Sequence, residues 1–284
     1  MTLLDWLIAR YPTAKRTTLR KMVDSGRVTI DGRRARTMKQ IVQEKDDVQV
    51  IDAASVPQPK PRRPRLPFAI VHEDDDVLVI YKPPGLLTST VPREPRLTAL
   101  AAVTEYLART APESRVGLIH RLDRDASGLL VFSKNPDAFR SLKQQFFDHA
   151  VERIYHAVVQ GVPNPRKGRI ETRVIELPDG SVHTTRRSNN GEPAITEFTT
   201  LRFARDRSVA LVRVKLHTGR KHQIRVHLSE RGTPIVNDPQ YGSSRRVGRL
   251  MLVATELSFD HPRTGLRQKF EVPLPKEMTK LLTP

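Results

Sequence analysis

Apolar side chains recur every three or four positions in two stretches near the start of the chain. In "TLLDWLI" the leucines and the isoleucine share one side, and Thr2 with Asp5 forms a capping-box pattern at a helix start. A second helix is predicted over "TTLRKMVDSG", with Thr17 or Thr18 as its N-cap and Gly26 just past its end. The chain is therefore expected to open with two short amphipathic helices.

In the next stretch apolar and polar residues alternate at every second position, as they do along a β-strand. "RVTIDGRRART" alternates about an Asp31-Gly32 hairpin turn, and "IVQEKDDVQVID" supplies more strand. The outward positions of these helices and strands are basic: Lys15, Arg16, Arg20, Lys21, Arg27, Arg33 and Arg34. The pattern predicts a small α/β unit whose outer face is either a site for a polyanion or simply a solvated basic surface.

A proline-rich segment separates this unit from the rest. "VPQPKPRRPRLP" contains five prolines, which forbid a helix and favour an extended spacer. We therefore predict three parts: a small domain over residues 1–55, a linker over 56–67 and a large domain over 68–284.

The large domain mixes short strands with separate helices. Strands are predicted on both sides of the acidic turn in "FAIVHEDDDVLVIYKPPG" and over "RIYHAVVQG", "AITEFTTLRF" and "SVALVRVKL". Helices are predicted in "TALAAVTEYLARTAP" and "PDAFRSLKQQFFDHAVE". This mixture favours the α+β fold class.

The composition of the chain restricts the classes of molecule that it is expected to bind. The chain has 284 residues, 38% of them hydrophobic, and a net charge of +18, of which residues 1–66 carry 15 basic against 7 acidic residues. Such charge attracts polyanions, and nucleic acid is the expected partner. No apolar run approaches the ~20 residues of a membrane span, and no secretory signal or basic amphipathic membrane helix is recognisable, so we expect no membrane partner.

Cysteine is absent. Disulfides, thiolate zinc sites, iron–sulfur clusters and a cysteine nucleophile are thereby excluded, and a reducing cytoplasm is the expected location. We also expect a monomer.

The densest cluster of charge lies between two apolar runs, in "HRLDRDASGLL". A loop between two buried strands would hold Asp123 at a cleft, and the flanking arginines would keep it ionised. An immobilised carboxylate of this kind acts as a nucleophile or an electrostatic stabiliser. The alternative is an ordinary surface salt-bridge cluster.

A second basic cluster occurs in "LHTGRKHQIRVHLSERG". Thr218 as N-cap and Gly232 as terminator predict a helix over residues 219–231. Arg220 and Lys221 would then lie in its first turn, where cations are disfavoured, which indicates an anion nearby and suggests a pair between Arg220 and Asp123.

Three histidines in the same stretch, His217, His222 and His227, raise the question of zinc. Intervals of five residues do not place three ligands on one helical face, and the surrounding cations would repel a metal. We therefore predict no metal site.

Two resemblances follow from these motifs. The first fifty residues, with the "LLDWL" opening and the "GRVTIDGRR" turn, resemble the small RNA-binding domain named after ribosomal protein S-four. The motifs "KPPGLL", "HRLDRDASGLLVFSKN", "RIYHAVVQG", "HTGRKHQIRVHL" and "IVNDPQYG" resemble, in this order, the pseudouridine synthase family of the ribosomal large-subunit type. Members of that family commonly join the two domains.

The resemblance implies a central mixed, largely antiparallel sheet flanked by helices, and an enzyme that isomerises specific uridines of RNA to pseudouridine without metal or organic cofactor. Ribosomal RNA or a pre-ribosomal particle is the implied partner. Asp123 matches the essential aspartate, Arg121 an arginine that enters the base stack, Tyr155 a tyrosine that packs on the uracil, and Arg220 the arginine that pairs with the aspartate.

The remaining residues expected to bind RNA are Lys15, Arg16, Arg20, Lys21, Arg33, Arg34, His120 and Lys221. The chain departs from the usual pattern at Ala126, where Thr is usual, at Arg153, where Lys is common, and at Asn237, where Gly is frequent.

Two other functions use the same residues differently. One is a catalytically inert RNA-binding or ribosome-assembly protein on the same fold. The other is a nuclease or glycosidase in which Asp123 and Asp125 act as paired carboxylates, which would release a broken strand or free uracil.

Overall fold

The structure is a computed structural model that describes residues 1–52, 66–90, 95–178, 180–185, 190–242 and 248–282. The chain forms two compact units, Met1–Pro64 and Arg65–Pro284, which are described separately below. Nearly all of the predicted linker, residues 56–67, lies outside the described residues, so its extended conformation stays a prediction.

The first unit contains two helices and a three-stranded antiparallel sheet. Its elements are α1 (Leu3–Arg10), α2 (Arg16–Asp24), β1 (Val28–Ile30), β2 (Arg33–Arg34) and β3 (Val48–Val50), with the strands in the order β2-β1-β3. Leu3 and Leu7 of α1, Leu19 and Val23 of α2 and Val28 of β1 form its buried core. Full burial of each such side chain contributes roughly 1.5–3 kcal/mol.

Local sequence signals determine most ends of these elements. Thr2 and Asp5 form the predicted capping box of α1. The hairpin turn lies at Asp31-Gly32, with φ of 49° and 72°, as a tight turn between β1 and β2 requires. The N-cap of α2 is Lys15, so the prediction of Thr17 or Thr18 was wrong: both threonines lie inside the first turn, and the helix starts without a side-chain cap.

The second unit is built on an eleven-stranded mixed sheet. Its strands are β4 (Ala69–Glu73), β5 (Val77–Lys82), β6 (Gly117–Leu118), β7 (Ser127–Ser133), β8 (Glu152–Gln160), β9 (Lys167–Glu176), β10 (Val182–Thr185), β11 (Glu192–Phe203), β12 (Val209–Leu216), β13 (Leu252–Asp260) and β14 (Arg267–Glu271). The main path runs β10-β9-β11-β12-β8-β13-β7-β5-β4, with β14 paired to β13 and β6 to β7. Among the described strand pairs only β7 and β13 are parallel, which confirms the predicted mixed, largely antiparallel sheet.

Helices cover both faces of this sheet. The helices in the described part of this unit are α3 (Ala99–Thr110), α4 (Pro136–Phe147), α5 (Gln223–Glu230) and α6 (Lys276–Lys280). Leu78 and Ile80 of β5 pack in one hydrophobic cluster with α3, whereas Val77 and Val79 pack in a second cluster with Leu142 of α4. Because side chains alternate along a strand, β5 is buried on both faces, and its apolar sequence reflects this.

Gly128 is required where β7 meets its parallel neighbour. Its φ is 120°, and a Cβ atom there would lie 2.2 Å from the carbonyl oxygen of Ala254 in β13. Only glycine permits this approach of the two backbones. The "SGLL" that follows the charged cluster thus joins the candidate site to the centre of the sheet.

Within the part of the chain that the structure describes, no helix is both long and apolar enough to span a bilayer.

Candidate active site

A cleft of about 580 Å³ opens where the β6–β7 loop faces β8 and the start of α5. Among its lining residues are Asp123, Tyr155, Arg153, Arg225, His222 and Arg121. Titratable side chains from three separate segments therefore converge on one concavity, as is typical of a catalytic site.

Asp123 lies in the loop between β6 and β7, which are antiparallel neighbours. Its two chain neighbours are anchored to the segment "KPPGLLT". The hydroxyl of Thr88 donates to the carbonyl oxygen of Leu122 at 2.7 Å and accepts from the N–H of Leu122 at 3.2 Å. The N–H of Gly85 donates to the carbonyl oxygen of Arg124 at 2.8 Å. The predicted loop between two strands is confirmed, and its backbone is fixed on both sides of Asp123.

Lys82 is the other anchor of this loop. Its side chain is fully buried, and its Nζ donates to the carbonyl oxygens of Pro83, Leu86 and Arg124 at 3.0, 2.7 and 3.0 Å. Burial lowers the pKa of Lys82 to about 8, against the opposing effect of the Asp123 and Asp125 carboxylates. A buried ammonium thus closes the segment from 82 to 88 against the Asp123 loop.

The lowered pKa of Lys82 predicts a pH-dependent stability. Between pH 8 and 10.5 the unfolded chain holds a proton on Lys82 that the folded chain has released. The stability of the wild type relative to Lys82→Met should therefore rise across this range, by up to about 3 kcal/mol. Urea unfolding of both proteins at intervals of pH measures the difference; a difference independent of pH would contradict the shift.

Helix α5 begins later than the sequence predicted. It spans Gln223–Glu230 with His222, at φ 54°, as its N-cap, and not residues 219–231 with Thr218 as cap. The hydroxyl of Thr218 instead accepts a hydrogen bond from the N–H of Ile195 in β11 at 2.8 Å and donates to Gln223 Oε1 at 2.9 Å. A contact to another strand thus replaces the local cap.

The later start moves a different arginine into the cleft. Arg225 is the third residue of α5, and its guanidinium is 5% exposed. Its Nη1 lies 3.3 Å from Oδ2 of Asp123, while Nε and Nη2 form a bidentate pair with Asp238 at 2.8 and 2.9 Å. The charge of an arginine in a helix's first turn opposes the helix dipole, and here two carboxylates compensate it.

Asp238 is itself held by the loop in which it lies. Its Oδ1 accepts from the N–H groups of Gln240 and Tyr241 at 3.0 and 3.2 Å. The Tyr241 ring lies 5.0 Å from the Arg225 guanidinium, and its hydroxyl bonds Nδ1 of His222 at 2.8 Å. The motif "IVNDPQYG" therefore positions Arg225, and through it Asp123. Asn237 has φ 65°, a left-handed conformation that asparagine tolerates better than most residues.

The predicted pair between Arg220 and Asp123 is wrong. Arg220 is more than a third exposed, and it bonds Glu192 at 3.2 Å and the carbonyl oxygen of Pro193 at 3.1 Å. It precedes α5, so the helix phase that brings Arg225 to Asp123 does not apply to it. Arg220 lines the rim of the cleft.

Tyr155 lies in the middle of β8, opposite Val214 of β12 and Ala254 of β13, and lines the cleft. It is 6% exposed, and burial raises its pKa, so the phenol is protonated near neutral pH. Arg121 is exposed and lines the same cleft. The structure thus brings Asp123, Tyr155 and Arg121 to one cleft; their chemical roles stay predictions.

His120 and Lys221 also line the cleft, but both already have partners. Nε2 of His120 accepts from the N–H of Val131 at 3.3 Å, and its ring stacks on Phe146 at 4.8 Å. Burial, with the charges of Arg153 and Lys143, lowers the pKa of His120 to about 3. The ring is therefore neutral and offers no cation to a phosphate.

Lys221 pairs with Glu176 and donates to the carbonyl oxygen of Gly180 at 2.9 Å. The basic residues of the first unit, Lys15, Arg16, Arg20, Lys21, Arg33 and Arg34, are exposed. RNA binding by either group stays a prediction.

Asp123 and Asp125 face different cavities. Asp125 forms a bidentate pair with Arg124 at 2.9 and 3.1 Å and lines a separate cavity with Pro84 and Asn237. The geometry therefore does not favour a pair of carboxylates acting on one bond.

The three histidines of the zinc question have separate partners. His217 pairs with Glu197, His222 with Tyr241, and His227 bonds the hydroxyls of Thr172 and Thr196. Nothing in these contacts draws the three imidazoles toward a common ligand.

Sequence reasoning overlooked Arg225, Asp238 and Lys82. Each lies inside a motif quoted from the sequence, but its role depends on a contact with a residue outside that motif: Arg124 for Lys82, Asp123 for Arg225, and Arg225 for Asp238. The one local signal was the cation close to the start of a helix, and it was assigned to Arg220 because the helix start was misplaced.

The family described as RNA pseudouridylate synthase matches residues 76–230. An uncharacterized RNA pseudouridine synthase of Aquifex aeolicus is 33% identical over 291 residues, covering 96% of this chain and 90% of that protein. Ribosomal large subunit pseudouridine synthase D of Pseudomonas aeruginosa is 34% identical over 300 residues, covering 99% and 91%.

Among solved structures, human RNA pseudouridylate synthase domain containing 4 aligns with a TM-score of 0.63 at 25% identity, covering 75% of this chain and 91% of that one. Human RNA pseudouridylate synthase domain containing 1 aligns with a TM-score of 0.58 at 27% identity, covering 72% and 83%.

Proposed function

The chain belongs to the RNA pseudouridylate synthase family, and from this membership we propose that it isomerises uridines of ribosomal RNA with Asp123 as the catalytic carboxylate. The membership itself establishes an isomerase that acts on uridine in RNA. The choice of ribosomal RNA is supported by the relative from Pseudomonas aeruginosa, which is named for the large ribosomal subunit and aligns with 99% of this chain.

The observation that carries the assignment of Asp123 is its paired and restrained carboxylate. The side chain is 16% exposed, Arg225 contacts it, and the backbone on both sides is anchored. A carboxylate fixed in a cleft wide enough for a nucleotide is suited to the sugar–base junction of an extruded uridine. We assign Tyr155, a buried neutral phenol in the same cleft, to contact with the uracil.

Base extrusion is a necessary part of this proposal. A uridine within a helix or a folded loop hides its glycosidic bond, and unstacking it costs a few kcal/mol. Phosphate contacts from a basic surface offset that cost. We assign Arg121, which is exposed and lines the same cleft, to the gap that the uridine leaves in the stack.

Tritium release from RNA labelled at carbon 5 of uridine tests the proposed function. Wild-type protein given unmodified ribosomal RNA should release tritium, with neither strand breakage nor free uracil. An inert RNA-binding protein would bind without release, and a nuclease or glycosidase would give fragments or uracil. Unmodified transfer RNA as the sole active substrate would reject the ribosomal assignment; mapping pseudouridines in cells with and without the protein identifies the uridine.

We assign the first unit to RNA binding, in keeping with its resemblance to the S-four-type domain. Its support is the exposed set of cations on α2 and the β1–β2 hairpin, which suits the shape and phosphates of folded RNA. A cytoplasmic location and a monomeric state are proposed with it, and light scattering of the purified protein tests the latter.

Changing Arg16, Arg20 and Arg34 together to Ala should weaken RNA binding and flatten its salt dependence. Each lost phosphate contact reduces the magnitude of the slope of log K against log salt by about one. The triple change should therefore reduce the magnitude of that slope by up to about three. Filter binding at several salt concentrations measures it. A matched change of Arg202, Arg205 and Arg207, exposed on the second unit, serves as control; equal slopes for both triples would reject the assignment.

A further inference from the structure

Arg153 is a buried cation of the cleft that the chemistry above does not use. It lies on β8 two residues before Tyr155 and is 8% exposed. Its Nε is buried without a hydrogen-bond partner, and among the described residues its guanidinium makes no ion pair or hydrogen bond. Arg225, by contrast, has two carboxylate partners in the same cleft.

A buried guanidinium without an anion is unfavourable in a folded protein. Buried charges are normally paired, because removal from water is repaid only by a counter-charge or by hydrogen bonds. The ionisable groups that interact with Arg153 among the described residues are the Tyr155 phenol and the His120 imidazole, and both are neutral near pH 7. The Phe146 ring, 5.3 Å from the guanidinium, supplies only a weak cation–π contact. The anion that would satisfy Arg153 is therefore not supplied by the described part of the chain.

The surroundings nevertheless keep space for this guanidinium. A Cβ atom at Gly219 would lie 2.5 Å from Nη1 of Arg153, so a larger residue there would displace the guanidinium from its present position. The loop before α5 thus runs directly beside the arginine, and Phe146 lies against its other side. The guanidinium is positioned by a ring and a glycine, and it lines the cleft.

We propose that Arg153 binds a backbone phosphate adjacent to the extruded uridine, so that the RNA supplies the missing anion. This inference rests on the proposed function. The phosphodiester is the group of RNA that carries a full negative charge, whereas uracil offers only carbonyl dipoles. A planar guanidinium matches phosphate oxygens in bidentate geometry. Arg153 then recognises the nucleotide only after its backbone enters the cleft.

The test removes one negative charge at a time from the RNA. A short RNA that contains the mapped uridine is made with a single methylphosphonate at each linkage near it. Affinity is measured at equilibrium in the Asp123→Asn background, where no turnover occurs. At one linkage beside the uridine, the methylphosphonate should lower the affinity of the protein for the RNA by about 10- to 100-fold when Arg153 is present. In Arg153→Met the same methylphosphonate should lower the affinity by less than about twofold. Arg202→Met, at an exposed position away from the cleft, should keep the full loss.

Two further variants separate this role from a structural one. Gly219→Ala keeps the charge of Arg153 but displaces its guanidinium, so it should reduce the same methylphosphonate effect. Arg153→Met should leave the thermal stability of the free protein unchanged or higher, because it removes an unpaired buried charge. A stability loss in Arg153→Met with an undiminished methylphosphonate effect would identify a structural arginine and overturn the proposal.

The outcome is distinguishable from failure of the proposed function. If the wild type releases no tritium, the isomerase assignment fails, and inorganic phosphate then tests Arg153 alone. Phosphate should raise the melting temperature of the wild type more than that of Arg153→Met; equal shifts would reject an anion site there. If tritium is released but no linkage responds differently in Arg153→Met, the isomerase assignment stands and this inference falls.

Discussion

Asp123→Asn is expected to reduce tritium release to background while RNA affinity stays within about twofold of the wild type. The amide has the shape of the carboxylate but no negative charge, and it cannot act as a nucleophile or a base. The loop should keep its conformation, since its anchors are the backbone contacts to Thr88, Gly85 and Lys82. Single-turnover assays with labelled RNA, together with filter binding, measure both quantities.

Asp125→Asn is the matched control for this change. It removes the neighbouring carboxylate, which pairs with Arg124 and lines a different cavity. Release by Asp125→Asn should remain within a few-fold of the wild type. Equal losses in the two variants would indicate a shared role for the carboxylates, and full activity of Asp123→Asn would remove the proposed chemistry altogether.

Arg225 is expected to show the second large effect. Arg225→Met leaves Asp238, which is 1% exposed, buried without its bidentate partner, so stability should fall by about 3–5 kcal/mol. Arg225→Lys retains a positive charge but cannot bond both oxygens of Asp238 and reach Asp123 at once. It should be more stable than Arg225→Met, and its turnover should be at least about a hundredfold below that of the wild type. Urea unfolding and single-turnover rates measure the two effects separately.

Arg220→Met is the control that distinguishes the two arginines. Arg220 is exposed and pairs with Glu192, so its removal should change stability by less than about 1 kcal/mol. Any effect on turnover should appear in RNA affinity and not in the single-turnover rate. If Arg220→Met lost turnover as Arg225→Lys is expected to, the predicted pair with Asp123 would have to be restored.

The contrast between these arginines shows what the sequence can determine. The loop that carries Asp123 was predictable because two apolar runs enclose a polar one, and that pattern is local. The start of α5 was not, because Thr218 satisfies the rule for an N-cap and yet bonds Ile195, a residue of another strand. A helix start displaced by four residues changes which arginine is expected to contact Asp123.

Lys82 and Asp238 illustrate the same restriction. A lysine before two prolines suggests only the start of a loop. Two of its carbonyl partners, Pro83 and Leu86, are local, but the third, Arg124, becomes a neighbour only in the folded chain. Asp238 acquires its role from an arginine thirteen residues earlier, across a helix and a turn. The α+β class and the strand β5 were predictable, since they depend on local sequence pattern. The charged partners of the site depend on tertiary contacts.

The parallel pairing of β7 with β13 has a consequence during synthesis on the ribosome. β7, which follows the Asp123 loop, is completed by β13, whose first residue emerges more than a hundred positions later. Until then β7 lacks its partner at Ser127 and Gly128, beside the Asp123 loop, and Arg225 and Asp238 are also synthesised after that loop. The surroundings of Asp123 are thus complete only after β13 has been synthesised, and a product truncated before that strand lacks the parallel partner of β7.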